Sequence, residues 1–517
     1  MYSPSLYLAI IAIAVGPVVA GPAESVTAAW VDVQKVPLEL RTHTRYLSLY
    51  HFTPEQRKEF LLVLAFHCNS LSRESDLVAP VLVGNDLVRV NMIDYGWTRE
   101  VWEKLTNSEP YYHVRVDGKG LVLPKVKTID VPVVSVIPVN AIKERVSFDF
   151  GKTWVNRFSV DNGRTWKIAD EKVEAKKEEV KGIAAHAPWL PAQDITSLAL
   201  ATNSDAPIVR ADWFIFQTAI QQDRAAGYYD FLGVGKEEKD FQELVIVDVK
   251  LAQRARMEML ASVARSGVTL NNRGIEWYKT IRGHYFRTQD YKSSTFKQNT
   301  LRLLDGDTEP PKGDASEQYG TLPNGLWAFW LQDGNGKRQD VAPDFIASDG
   351  MASGTDRRVH VGLSCIRCHE TGIQPINDFV RRVYQGPLLL ASPDYAKTKR
   401  LRQLYLSDLE EQVKDAQAYY AKRLKKLNGL TPEANARAYA KVWDQFVERD
   451  LGLEDVCREL NVEKVFFLER LKAYASKGGA DPVLASLLAN PPEPMRREHF
   501  EEVYSLAQAI VRVGAKP

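Results

Sequence analysis

The chain has few cysteines and no excess of charge of either sign. Only 4 of its 517 residues are cysteine, which excludes a small scaffold held together by many disulfides. The 67 lysines and arginines are matched by 66 aspartates and glutamates, so the net charge is +1. This balance provides no basic field that would attract nucleic acid, and we expect no nucleic-acid partner.

Long apolar runs are also scarce. The run over 6–19 is interrupted only by Gly16 and Pro17, and Ala20 before Gly21 fits a signal-peptidase site. Because this run is shorter than the roughly 20 residues that span a bilayer, it predicts a cleaved signal peptide over 1–20. A retained anchor stays open, since no Lys or Arg precedes the run. With no other run of spanning length, we expect a periplasmic or secreted protein without a transmembrane segment after cleavage.

The rest of the composition is that of an ordinary globular protein. Hydrophobic residues make up 45% of the chain and charged residues 26%, and the length allows two to four domains. Thr98 is a predicted helix N-cap. Apolar periodicity predicts helices over 54–71, 236–244, 251–265, 394–475 and 498–513. Alternation and turn signals predict strands over 87–92, 129–137 and 281–286 and a hairpin over 320–336.

A short repeat marks the segment 110–190 as a small β-module. Residues 147–154 and 159–166 both fit the pattern S-x-D-x-G-x-T-W, which resembles the Asp-box hairpin of sialidase-like propellers. The two copies are too close together for four-stranded propeller blades, so we interpret them as two hairpin turns rather than as a glycan site. The charge run over 171–181 that follows predicts a solvated helix or linker.

The one motif that carries chemistry is C-x-x-C-H at Cys365, Cys368 and His369. Two thiols at this spacing can attach to the two vinyl groups of a haem, and the adjacent histidine can bind the iron as proximal ligand. A zinc site would need a second ligand pair, and Cys457 stands alone. A thioredoxin-like redox pair would need a preceding strand and a lowered thiol pKa, and a disulfide at this spacing would be strained. The motif therefore predicts one covalent haem c.

The remaining haem contacts are less certain from the sequence. Downstream, Pro375 resembles the proline of cytochromes c whose carbonyl accepts the proximal histidine Nδ1–H. The sixth iron ligand is not determined: the candidates are Met351, His360, His284, Met495 and His499, and a vacant or water-filled site is also possible. A methionine ligand would suit electron transfer, whereas an open site would permit chemistry on oxygen or peroxide. Cys68 and Cys457 form either one disulfide or two buried thiols.

Several segments together resemble a family, the large exported bacterial mono-haem c-type cytochrome-like proteins. The similarity runs over most of 40–510, and the family has no assigned reaction. It implies a covalent haem, export and electron transfer, without a transferable catalytic residue set. The segments that carry it are Asp94-Tyr-Gly-Trp97, Arg210-Ala-Asp-Trp-Phe214, Leu322-Pro-Asn-Gly-Leu326, Asp333-Gly-Asn-Gly-Lys-Arg338 and Gly362-Leu-Ser-Cys-Ile-Arg-Cys-His369.

These observations predict an α+β, helix-rich, multi-domain protein with an inserted β-module, and with a haem-binding segment followed by a helical C-terminal region. We favour electron transfer to a redox partner protein. A peroxidase-like haem enzyme with an open distal site and a binding or sensor module with a structural haem are the alternatives. The predicted regions are 1–20 (signal peptide), 21–109 (N-terminal α/β region), 110–190 (β-rich module with charged linker), 191–340 (central α+β region), 341–390 (haem-binding segment) and 391–517 (helical C-terminal region).

Overall fold

A computed structural model gives the three-dimensional structure of most of the chain. The predicted signal peptide, Met351 and most of the paired repeat lie outside the described residues. Between 113 and 180 the structure describes the strands given below and residues 164 and 165. Elsewhere it describes 22–107, 192–221, 225–266, 269–292, 312–343, 347–350, 357–369, 372–385, 399, 403–405, 408–460, 462–476 and 481–512.

The described residues form an α+β fold whose first element, from Pro22, and last element, to Arg512, are both helices. A 3₁₀ turn over Met92–Tyr95 and a π-helical turn over Asp444–Glu448 add to the α-helices. No described helix is long and apolar enough to cross a membrane. The α-helices are α1 (Pro22–Val33), α2 (Leu38–Arg41), α3 (Pro54–Ser70), α4 (Arg99–Thr106), α5 (Ala192–Thr202), α6 (Ala211–Ala219), α7 (Tyr228–Leu232), α8 (Glu238–Leu244), α9 (Val249–Arg254), α10 (Leu363–Cys368), α11 (Phe379–Tyr384), α12 (Leu409–Asn428), α13 (Pro432–Trp443), α14 (Leu453–Leu460), α15 (Lys464–Ser476), α16 (Pro482–Ser486) and α17 (Arg497–Arg512).

The strands are β1 (Thr44–Ser48), β2 (Val81–Val83), β3 (Leu87–Asn91), β4 (His113–Val114), β5 (Val116–Asp117), β6 (Gly120–Leu121), β7 (Lys127–Pro132), β8 (Ile142–Val146), β9 (Val155–Ser159), β10 (Lys167–Ile168), β11 (Ala175–Val180), β12 (Ile208–Arg210), β13 (Met259–Val263), β14 (Arg273–Lys279), β15 (His284–Asp290), β16 (Ala315–Thr321) and β17 (Trp327–Asp333). Two sheets have five strands each. One is mixed, in the order β2-β3-β1-β12-β4, and the other is an antiparallel meander from β13 to β17.

Local sequence signals explain the ends of several elements. Helix α3 begins with a capping box, in which Thr53 and Gln56 satisfy each other's backbone N–H groups. The Thr98 side chain accepts from the Val101 backbone N–H and confirms the predicted cap of α4. The predicted hairpin is formed by β16 and β17, which are joined by a turn over 322–326 that closes with a hydrogen bond from Leu322 N to Leu326 O.

Four of the predicted regions contribute side chains to one large hydrophobic cluster. Strand β12 of the central region pairs with β1 of the N-terminal region, and a single cluster of buried side chains extends from Leu47 to Val511. A buried ionic network also joins these regions. Arg210 forms a fork with Asp212 and pairs with Glu459 of α14, which also accepts from Arg497 at 3.1 Å. Side chains from the predicted regions 21–109, 191–340, 341–390 and 391–517 therefore belong to this cluster, and none of its members comes from 110–190.

Other segments behind the family resemblance also have structural contacts. Trp97 donates from Nε1 to the Leu71 carbonyl at 3.0 Å, and Asn324 donates to the Asn69 carbonyl at 2.7 Å. The Arg338 guanidinium lies 4.6 Å from the centre of the Tyr229 ring. Residues of these resemblance segments therefore make packing and hydrogen-bond contacts within the fold, as Arg210 and Asp212 do.

Two predictions made from local patterns are wrong. The helix expected over 251–265 ends at Arg254. The strand β13 begins at Met259, because Met259–Val263 pairs along its full length with β14. The charge run over 171–181 contains the strand β11, which pairs antiparallel with β7. Backbone pairing with a partner strand overrides the weak local preference of a charged segment.

The repeat occupies the connections of a small antiparallel sheet. Residues 147–154 lie between β8 and β9, which pair up to Val146 and Val155, and the second copy lies between β9 and β10. The strands on either side of each copy are thus paired neighbours, as the interpretation as hairpin turns requires.

Candidate functional site

The C-x-x-C-H motif lies on the short helix α10, which begins after Gly362 as predicted. Gly362 has φ +76°, and a Cβ there would lie 2.4 Å from the Ala219 carbonyl oxygen and 2.7 Å from Tyr228 Cδ2. Only glycine permits this conformation at so close an approach. The position of α10 is therefore fixed by the end of α6 and the start of α7.

A buried ion pair orients the same helix. Arg367 Nη2 lies 2.8 Å from Asp349 Oδ2, and the two side chains are 8% and 0% exposed. The Arg367 guanidinium also lies 5.8 Å from the centre of the Trp443 ring. Because Arg367 is between the two cysteines, this pairing fixes which side of α10 the thiols present.

Cys365, Cys368 and His369 line a common cavity. Its volume is about 40 Å³, far below the roughly 300–1,000 Å³ found for small-molecule and cofactor sites. One part of the wall is apolar, formed by Ala315, Leu331, Ala342, Pro343, Ala347 and Val359. The polar part is formed by Thr269, Arg273, Asp290, Ser316, Glu317, Gln332, Gln339, Ser348 and Ser364.

The thiols of the motif are protonated in this environment. Burial raises the pKa of Cys368 to about 12 and that of Cys365 well above its ordinary value. A thioredoxin-like pair has a lowered thiol pKa, so these raised values do not match one. All four cysteines are free in the structure, so Cys68 and Cys457 are buried thiols rather than a disulfide.

His369 lies between aromatic rings at the edge of the cavity. Its ring centre is 4.9 Å from that of Tyr319 and 5.6 Å from that of Phe329. Its buried Nδ1 has no hydrogen-bond partner in the part of the chain that the structure describes. His369 also lines a second, smaller cavity of about 10 Å³, with Phe66, Trp327 and Tyr420 among its wall residues.

The hydrogen bond expected between the Pro375 carbonyl and His369 Nδ1 is absent from the structure. Pro375 is exposed, because the loop before it is fastened elsewhere. Gly372 N donates to the His369 carbonyl at 2.9 Å, and Gln374 Nε2 donates to the Cys368 carbonyl at 2.9 Å. These bonds close the loop against its own helix end.

A charged cluster that no sequence pattern indicated faces the motif from three strands of the meander. Arg273 Nε lies 2.5 Å from Asp290 Oδ1, and Arg273 Nη1 lies 3.4 Å from Glu317 Oε2. The other oxygen of Glu317, Oε1, lies 3.6 Å from His369 Nε2. Burial alone would raise the pKa of Glu317, but its hydrogen bond and ion pair with His369 and the charge of Arg273 hold it at about 2.

None of the described candidates for the sixth ligand lines the cavity. His284 is buried, accepts from Trp277 Nε1 at 3.2 Å and lies 3.4 Å from Asp415 Oδ2. Burial lowers its pKa to about 4. Met495 is buried and forms a backbone bridge with Leu451, and His499 is exposed on α17.

His360 is next in sequence to a residue of the cavity wall. It is half-buried, forms a backbone bridge with Val341 and follows Val359, which lines the cavity. Met351 lies outside the described residues, while Ser348 and Val359 on either side of it in sequence both line the wall.

Comparisons with known proteins add no assignment to this site. No protein-family model, curated protein or solved structure matches this chain. Within the described residues, no group of three or more His, Cys, Asp and Glu side chains is arranged to hold a metal ion by itself.

Proposed function

We propose that this chain is an exported mono-haem c-type cytochrome-like protein that transfers electrons through one covalently bound haem. The observation that carries this proposal is the common cavity of Cys365, Cys368 and His369. The two thiols and the imidazole that the chemistry requires line one cavity, although nothing in the spacing alone ensures this.

The side chains around the cavity match a haem in their chemistry, but the cavity of about 40 Å³ must widen before the macrocycle can enter. Cys365 and Cys368 would form the thioethers, His369 would bind the iron, and the apolar wall formed by residues such as Leu331 and Val359 would contact the macrocycle. When bound, the haem supplies a one-electron couple. The chain's own contribution is to fix the thiols through the Arg367–Asp349 pair and to limit the access of water to the site.

Other uses of the two thiols have less support. A redox dithiol needs a thiolate at neutral pH, and burial raises the pKa of Cys365 and of Cys368. Thioether formation needs the thiols only to be held facing the group, and both line the cavity.

Covalent attachment is tested by pairing two double variants. Expressed with haem-maturation machinery, the wild type should stain for haem on a denaturing gel, and Cys365→Ala/Cys368→Ala should lose the stain. Cys68→Ala/Cys457→Ala is the matched control, because it removes the two other buried thiols and should keep the stain. A colourless wild type, or a stain that survives loss of Cys365 and Cys368, contradicts the proposal.

Export and a redox partner complete the proposal. The apolar run over 6–19 supports export, and mass spectrometry of the exported protein should find a mature N-terminus near Gly21. An intact N-terminus that retains the run would contradict cleavage. The partner is an electron-carrier protein, and oxidation or reduction by such a carrier should disappear with the haem.

A haem enzyme with an open distal site is the second candidate, and the polar wall favours it. Glu317, Arg273 and Ser316 bring a carboxylate, a guanidinium and a hydroxyl to the cavity, groups that could assist proton transfer to bound oxygen species. Peroxide turnover by the holoprotein and a spectral change on adding cyanide would favour the enzyme. Spectra that cyanide leaves unchanged would favour electron transfer.

A further inference from the structure

We infer that the described residues 340–343, 347–350 and 357–361 form a strap that closes the cavity of the motif and opens without unfolding of the rest of the chain. The cavity beneath the strap is about 40 Å³, which is room for a few water molecules at roughly 10–15 Å³ each. Any larger group reaches Cys365 and Cys368 only when one wall of the cavity moves. This holds for the haem-free chain, whatever group the site takes.

The cavity lies between the strap and two firmly held walls. The strap contributes Ala342, Pro343, Ala347, Ser348 and Val359. The meander forms a second wall, in which β14 pairs with β15 and β16 pairs with β17 along their full lengths. Helix α10 forms the third wall, and the contact of Gly362 with the end of α6 fixes its position. Neither of these two walls retreats without breaking a strand ladder or displacing a helix.

The strap is held by fewer backbone hydrogen bonds than the meander. The described residues between β17 and α10 contain no regular helix or strand. The two arms of the strap are joined by an isolated bridge between Val341 and His360. Next to that bridge, Ala342 N donates to the Val359 carbonyl at 2.9 Å. Because a segment with few backbone hydrogen bonds opens at a lower free-energy cost than a paired sheet, the strap is the wall that moves.

Both ends of the strap are anchored. Before it, Arg338 Nη1 donates to the Gly235 carbonyl at 2.8 Å, and the Tyr229 hydroxyl donates to the Gln339 carbonyl at 3.2 Å. After it, the chain is fixed at Gly362, where α10 begins. The strap therefore moves between two fixed points, so its opening leaves the meander and α10 in place.

The ion pair of Asp349 with Arg367 is the latch of the strap. Asp349 Oδ2 lies 2.8 Å from Arg367 Nη2, and the two side chains are 0% and 8% exposed. Asp349 N also donates to the Arg357 carbonyl at 2.8 Å, which ties the latch to the second arm. Since Arg367 lies between the two cysteines on α10, this pair joins the strap directly to the motif. Removal of one partner of a buried pair is strongly unfavourable, so loss of the Asp349 carboxylate should favour the open strap.

The first test compares two buried thiols in the full chain, expressed without haem-maturation machinery. Iodoacetamide is the probe, and peptide mass spectrometry locates the labelled cysteines. Cys365 and Cys68 are 1% and 0% exposed, so both react only after the protein opens. Cys68 lies on α3, away from the strap, and reports wider unfolding. Cys365 should react faster than Cys68 by about tenfold or more, because local opening costs less than global unfolding. Equal rates overturn the inference.

The second test breaks the latch and, as a matched control, another buried ion pair. Asp349→Asn should raise the ratio of the Cys365 rate to the Cys68 rate by a further factor of about ten. Asp212→Asn disrupts the Arg210–Asp212 pair, whose side chains are 1% and 3% exposed, and should not raise that ratio. An unchanged ratio in Asp349→Asn, or an equal rise in both variants, contradicts the role of the latch.

Amide hydrogen exchange of the wild type covers the case in which Asp349→Asn does not fold. The amides of 340–343 and 357–361 should exchange faster than those of β16 and β17, which form the facing wall. Strap amides as protected as those of β16 and β17 overturn the inference. None of these measurements needs haem, so the gel stain for covalent haem tests the proposed function separately.

Discussion

Two buried clusters in this molecule both combine arginines with carboxylates, but they differ in how many of the neighbouring polar atoms have hydrogen-bond partners. In the ionic network of the core, Asp212 receives Arg210 on both oxygens, and Glu459 receives Arg210 on one oxygen and Arg497 on the other. In the cavity cluster, Arg273, Asp290 and Glu317 border empty space and polar atoms without partners among the described residues. A closed network specifies packing, whereas an incomplete one adjoining a cavity is the better candidate for a site.

The histidines show the same contrast. His67 is fully buried, and both of its ring nitrogens are bonded, Nε2 to Thr218 Oγ1 at 2.7 Å and Nδ1 to the Tyr439 hydroxyl at 3.2 Å. His369 has one nitrogen facing Glu317 and the other unpartnered within the described chain. A buried histidine whose two ring nitrogens are both bonded is thus a weaker candidate for a site than one with an unpartnered nitrogen.

The largest expected effect is on the closed network. Glu459→Ala leaves Arg210 and Arg497 buried without their shared carboxylate, and should lower the free energy of unfolding by about 3–5 kcal/mol. Denaturant unfolding of the purified protein measures this. The control is Glu454→Ala on the same helix, because Glu454 is exposed and paired with Lys464 on the surface, and should cost less than about 1 kcal/mol. Equal losses for both variants would contradict the distinction.

The second prediction concerns acid stability. Burial lowers the pKa of His67 from 6.5 to about 3. Because the folded-state pKa is below the unfolded one, stability that is full above pH 6.5 is lost as the pH falls towards 3. The loss should reach a few kcal/mol, because a tenfold change in proton affinity corresponds to about 1.4 kcal/mol. His67→Gln should reduce the dependence of the unfolding free energy on pH in this window. His499→Gln, at an exposed position, should leave that dependence unchanged. Identical curves for His67→Gln and the wild type would exclude His67 as the group.

The third prediction concerns the loss of stability when a single hydroxyl group is removed, which should be intermediate in size. Tyr439→Phe removes the partner of His67 Nδ1 in the closed core and should cost about 1–3 kcal/mol. Ser316→Ala removes a hydroxyl that has no partner among the described residues, and should change the free energy of unfolding by less than about 0.5 kcal/mol. Denaturant unfolding resolves the two. A loss for Ser316→Ala as large as that for Tyr439→Phe would show that the cavity wall is as closed as the core.

The smallest expected effect is spectroscopic. Met495→Leu, His499→Gln and His284→Gln should leave the absorption bands of the holoprotein unchanged, since none of these residues lines the cavity. Any one of them that shifts the bands would identify itself as a ligand or a ligand neighbour, and would place the iron elsewhere.

The sequence was a good guide where local chemistry decides the outcome. The Thr98 cap and the helix start at Gly362 are read from a few neighbouring residues, and the structure has them where predicted. The strand β11 was missed because its pairing with β7 is a property of two distant segments. The core shared between predicted regions likewise depends on contacts between distant segments, so the sequence did not predict it.

The motif in the candidate site could be found from spacing, but its surroundings could not. Arg273, Asp290 and Glu317 come from three successive strands, and only the register of the meander brings them to one cavity. Arg273 and Asp290 are register partners across β14 and β15. The sequence shows only that charged residues occur within strands that are otherwise apolar or aromatic. It does not show which face of the sheet these residues occupy.

Gly362 has a further consequence for how sequence variation in this protein is read. The helix of the cysteine pair starts in contact with Ala219 and Tyr228. If the proposed haem is attached to these cysteines, its position therefore depends on residues that do not line the cavity. A saturation screen scored by colour would flag the α6–α7 junction alongside the thiols themselves. In such a data set, substitutions that displace the helix would lose colour as often as substitutions of the cysteines themselves.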